Sequence, residues 1–147
     1  MKPIYIGADH AGFVLKEKIK SWLDHQKVAY IDLGNAVFDP KDDYPDFAAP
    51  LAKKVVTEKS LGILVCGSGQ GMCITANKIK GARAVIPSSL KETRLSKEHD
   101  SANIICLSGW FTHLRLAKKM IKVFLTTPFS KEARHLRRVE KIKRLER

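Results

Sequence analysis

The sequence lacks the long apolar runs that would place it in a membrane. No stretch approaches the roughly 20 consecutive apolar residues that a membrane-spanning helix needs. The opening residues, MKPIYIG, do not have the layout of a secretory signal peptide. We therefore expect a cytoplasmic protein that does not associate with membranes.

Cysteine is also scarce, and its spacing fits neither disulfides nor zinc. Cys66, Cys73 and Cys106 form an odd set with no CxxC pair and no nearby pair of histidines. Disulfide frameworks need paired cysteines, and structural zinc sites need closely spaced thiol and imidazole ligands. We expect reduced thiols and no metal.

Acidic residues are few compared with basic ones. There are 15 Asp and Glu against 27 Lys and Arg, a formal net charge of +12, which is compatible with nucleic acid, an anionic surface or an anionic small substrate as partner. Residues 131–147 hold eight Lys or Arg against three Glu. In this segment, apolar residues recur at helical spacing at Leu136, Val139, Ile142 and Leu145. This pattern favours an amphipathic C-terminal helix over about 129–147 with a solvated basic face, and not a nucleic-acid arm.

Short apolar runs alternate with longer segments of helical periodicity. The predicted strands are 4–7, 28–33, 62–66, 82–86 and 104–107, and the first helix runs from 13 to about 27. Strands that are apolar on both faces and separated by helices form a parallel sheet between two helix layers. We predict one α/β domain over residues 1–147, a Rossmann-like three-layer α/β/α sandwich with a five-stranded parallel sheet.

Ligands bind outside the carboxyl ends of such strands, and the segments expected there carry unusual residues. Gly67, Gly69 and Gly71 follow a strand and precede a helix, so their N–H groups are suited to cradle an anion. Their GxGxG spacing is neither the dinucleotide fingerprint nor a Walker loop. By themselves, glycines at such a turn are more often structural than catalytic.

Proton-transfer groups flank the same predicted edge. The helix that begins after Cys66 is expected to lower the pKa of its thiol towards neutrality, whereas Cys73 and Cys106 are expected to be inert core residues. Asp9 and His10 form an adjacent acid and base, and His99 leads into the fifth strand.

Other basic residues carry less information. Arg134 and Arg138 are four apart, so on a helix they share a face suited to phosphate. In so basic a segment this spacing also arises by chance. His25, His113 and His135 are expected to be surface or hydrogen-bonded core groups.

Taken together, these residues resemble the type B ribose-5-phosphate isomerases, a family related to the galactose-6-phosphate isomerase subunits. The resemblance runs almost end to end, and the order and spacing of its motifs make it specific. The motifs are residues 7–13 (GADHAGF), Leu15 with Lys16, Asp43 with Tyr44 and Pro45, residues 66–71 (CGSGQG), residues 76–78 (ANK), Arg83 with Ala84, His99, Asn103, and Arg134 with Arg138.

The resemblance implies an aldose–ketose isomerase that interconverts D-ribose 5-phosphate and D-ribulose 5-phosphate through an enediolate, in the pentose phosphate pathway. It implies a homodimer or a dimer of dimers with the active site at the subunit interface, and no metal or organic cofactor. Cys66 would be the base, His99 would reach the partner's site to open the sugar ring, and Ser68 would assist proton movement between oxygens. The implied substrate-binding residues are Asp9, His10, Tyr44, Gly67, Gly69, Gln70, Gly71, Asp100, Arg134 and Arg138.

The chain departs from that family at three positions, and other functions remain open. Relatives commonly have Arg at Trp110, Asn at Asp100 and a small or apolar residue at Gln70. The nearest alternative is the same chemistry on galactose or allose 6-phosphate or on a tetrose phosphate. A non-catalytic phosphosugar-binding protein is a second alternative. A nucleic-acid-binding module is indicated by the net charge alone.

Overall fold

A computed structural model describes residues 2–146, which alternate between strands and helices. In chain order the elements are β1 (Ile4–Ala8), α1 (Phe13–His25), β2 (Tyr30–Asp32), α2 (Pro45–Glu58), β3 (Gly62–Cys66), α3 (Gln70–Ala76), β4 (Ala84–Val85), α4 (Leu90–Asp100), β5 (Ile104–Ser108), α5 (Leu114–Thr126) and α6 (Ala133–Arg144). Within residues 2–146, no helix has both the length and the apolar character needed to cross a bilayer.

The strands form a parallel sheet in the order β2-β1-β3-β5-β4. Every residue of the three central strands β1, β3 and β5 is buried, as the apolar runs predicted. The edge strands β2 and β4 are shorter than predicted. An edge strand has one neighbour, so only the residues in register with that neighbour, such as Tyr30 to Asp32 opposite Ile4 to Ile6, keep strand pairing.

Helices cover both faces of the sheet, which confirms the three-layer prediction. Successive strand side chains point to opposite faces. Ile63 and Val65 therefore pack in the core that contains α1 and α5. Leu64 and Cys66 pack in the core that contains α2 and α3. Cys66 consequently points towards the α3 side of the sheet.

The C-terminal helix is present but shorter than predicted. It begins at Ala133, because Glu132 has an extended backbone, and Arg147 lies outside the described residues. His135 and Val139 are its buried residues, and Arg134 and Arg138 are exposed. The helix thus packs through a narrow apolar strip and presents its basic face to solvent, as expected.

Candidate active site

A cavity of about 170 Å³ opens at the carboxyl ends of β1 and β3. From β1 the chain first adds β2 on one side and then β3 on the other, so the connections diverge between β1 and β3. Ligands of parallel sheets usually bind at such a switch point. The lining residues that the sequence predicted are here called the cavity group: Asp9, His10, Tyr44, Cys66, Gly67, Ser68 and Gly71. Ala11 and Trp110 complete the lining.

Asp9 is held in the turn between β1 and α1. Its Oδ1 accepts a hydrogen bond from the Gly12 backbone N–H at 3.1 Å. A Cβ atom at Gly12 would lie 2.1 Å from the Val65 carbonyl oxygen, so only glycine lets the turn approach β3 this closely. Burial raises the pKa of the Asp9 carboxyl above its ordinary value. The turn therefore presents a partly desolvated acid to the cavity.

Cys66 ends β3 and lines the cavity although its side chain is only 3% exposed. Its Sγ accepts a hydrogen bond from the Gly69 N–H at 3.2 Å. The expectation that the thiol pKa is lowered is wrong. Burial raises the pKa of Cys66 and outweighs the hydrogen bonds from backbone amides of the glycine loop that act to lower it. The thiol therefore points at the cavity in its protonated form.

Two predicted residues of the glycine loop, Gly69 and Gln70, are outside the cavity lining. Gly69 has φ +82°, which favours glycine, and a Cβ there would lie 2.5 Å from Ile86 Cδ1. Gly69 forms the turn itself and donates the N–H bond to Cys66. Gln70 begins α3 and lines a neighbouring cavity of about 270 Å³ between β4 and α5.

Two aromatic rings form the walls beside the remaining glycines. The Tyr44 ring lies against Gly71, and the Trp110 ring lies against Gly67, each within 2.5 Å of where a Cβ atom would be. Trp110 is 66% exposed. These contacts explain the absence of side chains at Gly67 and Gly71, because a methyl group at either position would displace a ring.

His10 is paired with an acid that the sequence pattern did not single out. The Oδ1 atom of Asp42 lies 2.7 Å from His10 Nδ1 and accepts the His10 backbone N–H at 2.9 Å. This hydrogen bond with Asp42 is the main reason why the pKa of His10 is raised. Asp42 lies in a turn-rich loop and directly precedes the motif Asp43, Tyr44 and Pro45. That position was the one feature of the sequence that could have indicated a role for Asp42.

The atoms of Asp9, His10 and Asp42 are near enough to one another for metal binding. They lie within 4.8 Å, the one such group within the part of the chain that the structure describes. Because His10 Nδ1 and Asp42 Oδ1 already share a hydrogen bond, we interpret the group as a His–Asp pair and not as metal ligands. That the site works without a metal stays a prediction.

The other predicted site residues, here called the helix group, are His99, Asp100, Arg134 and Arg138. His99 and Asp100 end α4, and the arginines lie on α6. The His99 ring stacks on the ring of buried His135, with 4.2 Å between centroids. His135 Nδ1 lies 2.6 Å from Ser130 Oγ, so it is a hydrogen-bonded core histidine, as expected.

The placement of His99 at the carboxyl edge of the sheet is wrong. The end of α4 leads into Ile104, the amino end of β5, whereas Cys66 pairs with Ser108 at the carboxyl end. Helix α4 connects the carboxyl end of β4 to the amino end of β5, so it carries His99 to the amino edge of the sheet. Within one chain, the helix group therefore lies at the opposite edge from the cavity.

Comparison with known proteins identifies the family to which the chain is similar. The sequence pattern of the Ribose/Galactose Isomerase family matches residues 4–142. The chain is 43% identical to a probable ribose-5-phosphate isomerase B of Mycoplasma genitalium over 146 residues, covering 98% of this chain and 95% of that protein. It is 39% identical to the ribose-5-phosphate isomerase B of Mycobacterium tuberculosis, covering 98% and 90%.

Solved structures show the same fold. The crystal structure of Mycoplasma genitalium ribose-5-phosphate isomerase B with bound ribulose-5-phosphate superposes with a TM-score of 0.92 at 42% identity, covering 98% of this chain and 95% of that one. The Trypanosoma cruzi type B enzyme gives a TM-score of 0.93 at 36% identity, covering 99% and 97%. From these matches and the cavity at the carboxyl ends of β1 and β3, the chain belongs to the Ribose/Galactose Isomerase family.

Proposed function

We propose that this chain is a ribose-5-phosphate isomerase that interconverts D-ribose 5-phosphate and D-ribulose 5-phosphate. The observation that carries the proposal is the Cys66 thiol at the cavity surface, surrounded by backbone N–H groups and facing Asp9 and His10. Family membership and the ribulose-5-phosphate bound by the Mycoplasma genitalium relative support this substrate.

Cys66 is proposed as the base that moves a proton between the two carbons. Its thiolate takes the proton from C2 of the aldose, which leaves an enediolate, and then returns it to C1 to give the ketose. The backbone N–H groups of the glycine loop are suited to hydrogen-bond the enediolate oxygen. The Ser68 hydroxyl is proposed to pass the remaining proton between O2 and O1. Atoms balance without any redox partner or organic cofactor.

Asp9, His10 and Tyr44 are proposed to position the sugar. Asp9 would hold sugar hydroxyls, Tyr44 would line the pocket, and a cationic His10 would bind the phosphate. Holding the phosphate fixes the chain of carbon atoms so that C1 and C2 lie beside Cys66.

We propose that the working form is a homodimer or a dimer of such dimers, with each site shared between subunits. The helix group lies at the opposite edge of the sheet from Cys66, so it can complete a site only on a second copy. His99 of the partner subunit would open the sugar ring, and Asp100, Arg134 and Arg138 would bind substrate. Trp110 and Phe111, 66% and 76% exposed, place apolar surface beside the cavity for such a contact.

We propose a single-domain cytoplasmic enzyme of the pentose phosphate pathway, with no nucleic-acid partner. A six-carbon or four-carbon sugar phosphate is the alternative substrate, because the same proton transfer between C2 and C1 applies to it. Relatives commonly have an arginine at the position of Trp110, so the size and charge of this residue bear on which sugar phosphate is preferred.

A spectrophotometric isomerase assay on a panel of sugar phosphates tests the function. The purified full chain is expected to act on ribose 5-phosphate with a higher kcat/KM than on allose 6-phosphate, galactose 6-phosphate or a tetrose phosphate. A higher value for another sugar would reassign the substrate. Tight binding of ribose 5-phosphate with no turnover would instead identify a phosphosugar-binding protein.

A further inference from the structure

Asp42 makes contacts with His10 that the proposed mechanism does not use. One carboxylate oxygen, Oδ1, accepts from both the His10 backbone N–H, at 2.9 Å, and the ring nitrogen Nδ1, at 2.7 Å. The Asp42 side chain is 7% exposed and the His10 side chain 37%. Bonding Nδ1 to Asp42 leaves Nε2 as the ring nitrogen available to a ligand in the cavity.

The second oxygen of Asp42 is anchored from the protein interior. Its Oδ2 accepts from Asn35 Nδ2 at 2.9 Å. The Asn35 backbone oxygen in turn accepts from Nζ of the fully buried Lys16 at 2.6 Å. Lys16 also pairs with Asp32 at 2.7 Å. A continuous set of hydrogen bonds therefore fixes the Asp42 carboxylate with respect to α1 and β2, although Asp42 itself lies in a long loop.

We propose that Asp42 is a positioning residue for His10, which turns Nε2–H towards the cavity and keeps the imidazole cationic so that it binds the phosphate of the substrate. The inference rests on the proposed isomerase function. It adds Asp42, which would not contact the substrate itself but would set the charge and orientation of His10, which would.

The charges around His10 support this role. The titratable groups that face it are Asp42 from the loop, Asp9 from the end of β1, Cys66 from β3 and Tyr44 at the start of α2. Asp42 is the main cause of the raised His10 pKa, and the Asp9 charge acts in the same direction. No lysine or arginine lines this cavity in residues 2–146, so His10 is its cationic group on this subunit.

The substitution Asp42→Asn removes the charge and keeps the shape. The new amide oxygen can still accept from His10. Its NH₂ group would face the NH₂ group of Asn35, but Asn35 Oδ1 is buried and unpaired, so rotation of the Asn35 amide supplies an acceptor. The substitution should therefore fold. Asp39→Asn is the matched control, because Asp39 lies in the same loop and its side chain accepts a hydrogen bond from the Lys41 backbone N–H and not from His10. The Asp39 backbone carbonyl accepts from the Asp42 N–H, and the substitution leaves that bond in place.

The test measures KM and kcat for ribose 5-phosphate from about pH 5.5 to about pH 8.5, and the His10 pKa by NMR of the full chain. In Asp42→Asn the His10 pKa should fall towards 6.5, its ordinary value. Between pH 6.5 and the raised pKa of the parent His10, KM should rise about ten-fold or more relative to the parent, the scale of one charged hydrogen bond, with kcat little changed. Below pH 6.5 both proteins hold a protonated His10, so the two KM values should converge.

The outcomes separate this inference from the proposed function. A KM ratio that is constant with pH, or an unchanged His10 pKa in Asp42→Asn, would overturn the role of Asp42. The same conclusion follows if Asp39→Asn has an equal effect. If Asp42→Asn does not fold, a parent His10 pKa at or below 6.5 still overturns it. If the parent chain turns over no sugar phosphate, the proposed function fails, while the NMR titration still decides whether Asp42 sets the charge of His10.

Discussion

The cavity group and the helix group differ in how the fold holds them. Cys66 and Asp9 are buried, at 3% and 5% exposure, and receive hydrogen bonds from backbone N–H groups. Arg134 and Arg138 are exposed on a helix that packs through a narrow strip. Among residues 2–146, Arg134 forms an ion pair only with Glu132 of its own segment. Proton transfer needs desolvated, fixed groups, whereas the phosphate contacts proposed for Arg134 and Arg138 need side chains that extend beyond the subunit surface. The proposed base and the arginines proposed to bind phosphate therefore lie at opposite edges of one sheet.

The largest expected effect comes from removing Cys66, the proposed base, from the cavity group. Cys66→Ala should lower kcat by about 10²- to 10⁴-fold, the usual contribution of a positioned acid–base group, and leave the fold unchanged by circular dichroism. Cys73→Ala, a change on the neighbouring helix α3, is the matched control and should keep parental activity. Parental kcat in Cys66→Ala would show that another group moves the proton.

The raised pKa of Cys66 also gives the parent a pH dependence. A thiol with a pKa above its ordinary 9.0 is mostly protonated at neutral pH, so kcat should rise with pH up to and beyond that value. If kcat instead levels off near neutral pH, bound substrate must lower the pKa of the Cys66 thiol and so reverse the rise caused by burial.

Mixing two inactive variants tests whether the two groups complete each other across subunits. Cys66→Ala and His99→Asn should each be inactive alone. After joint unfolding and refolding, half of the dimers would be mixed, and each mixed dimer would contain one site with both residues intact. About one quarter of the parental activity should therefore return. No recovery, with mixed dimers detected by mass spectrometry, would contradict the shared site.

A smaller effect is expected from the arginines of the helix group. Arg138→Ala should raise KM for ribose 5-phosphate by about 10- to 100-fold with little change in kcat, because it removes the charged hydrogen bond that Arg138 is proposed to donate to the phosphate. Arg137→Ala removes the same charge from the neighbouring position of α6 and serves as the control. If the two substitutions raise KM equally, Arg138 contributes only to the net positive charge and makes no specific contact with the phosphate.

The smallest expected effect is on stability and concerns His135, the buried residue on which His99 of the helix group stacks. Burial and the neighbouring His99 lower the pKa of His135, so the folded state favours its neutral form. The contribution of His135 to the free energy of unfolding should be constant above pH 6.5, its ordinary pKa, and should decrease as the pH falls below that value. Urea unfolding at several pH values measures this slope. His135→Gln should flatten it, whereas His25→Gln, at an exposed position, should not.

Much of the fold and about half of the site could be predicted from the sequence. The central strands β1, β3 and β5 matched because continuous apolar runs leave few alternatives to buried parallel strands. Asp9, His10, Cys66 and the glycine loop were found because strand ends in such a sheet converge, whereas Tyr44 and Ser68 were predicted from the family resemblance. Asp42 was missed, since a carboxylate in a turn-rich loop has no local pattern that distinguishes a partner of His10 from a solvated charge. His99 was misplaced because its proximity in sequence to β5 was taken as proximity to the carboxyl end of that strand.

By itself, the sequence determined the α/β sandwich, the position of the glycine turn after β3 and the amphipathic C-terminal helix, because periodicity and turn chemistry act over a few neighbouring residues. Only the tertiary structure decided the direction of the Cys66 pKa shift, the pairing of His10 with Asp42 and the separation of the two groups. Each of these depends on desolvation or on contacts between residues far apart in the chain, 32 positions for His10 and Asp42, and no local pattern specifies them.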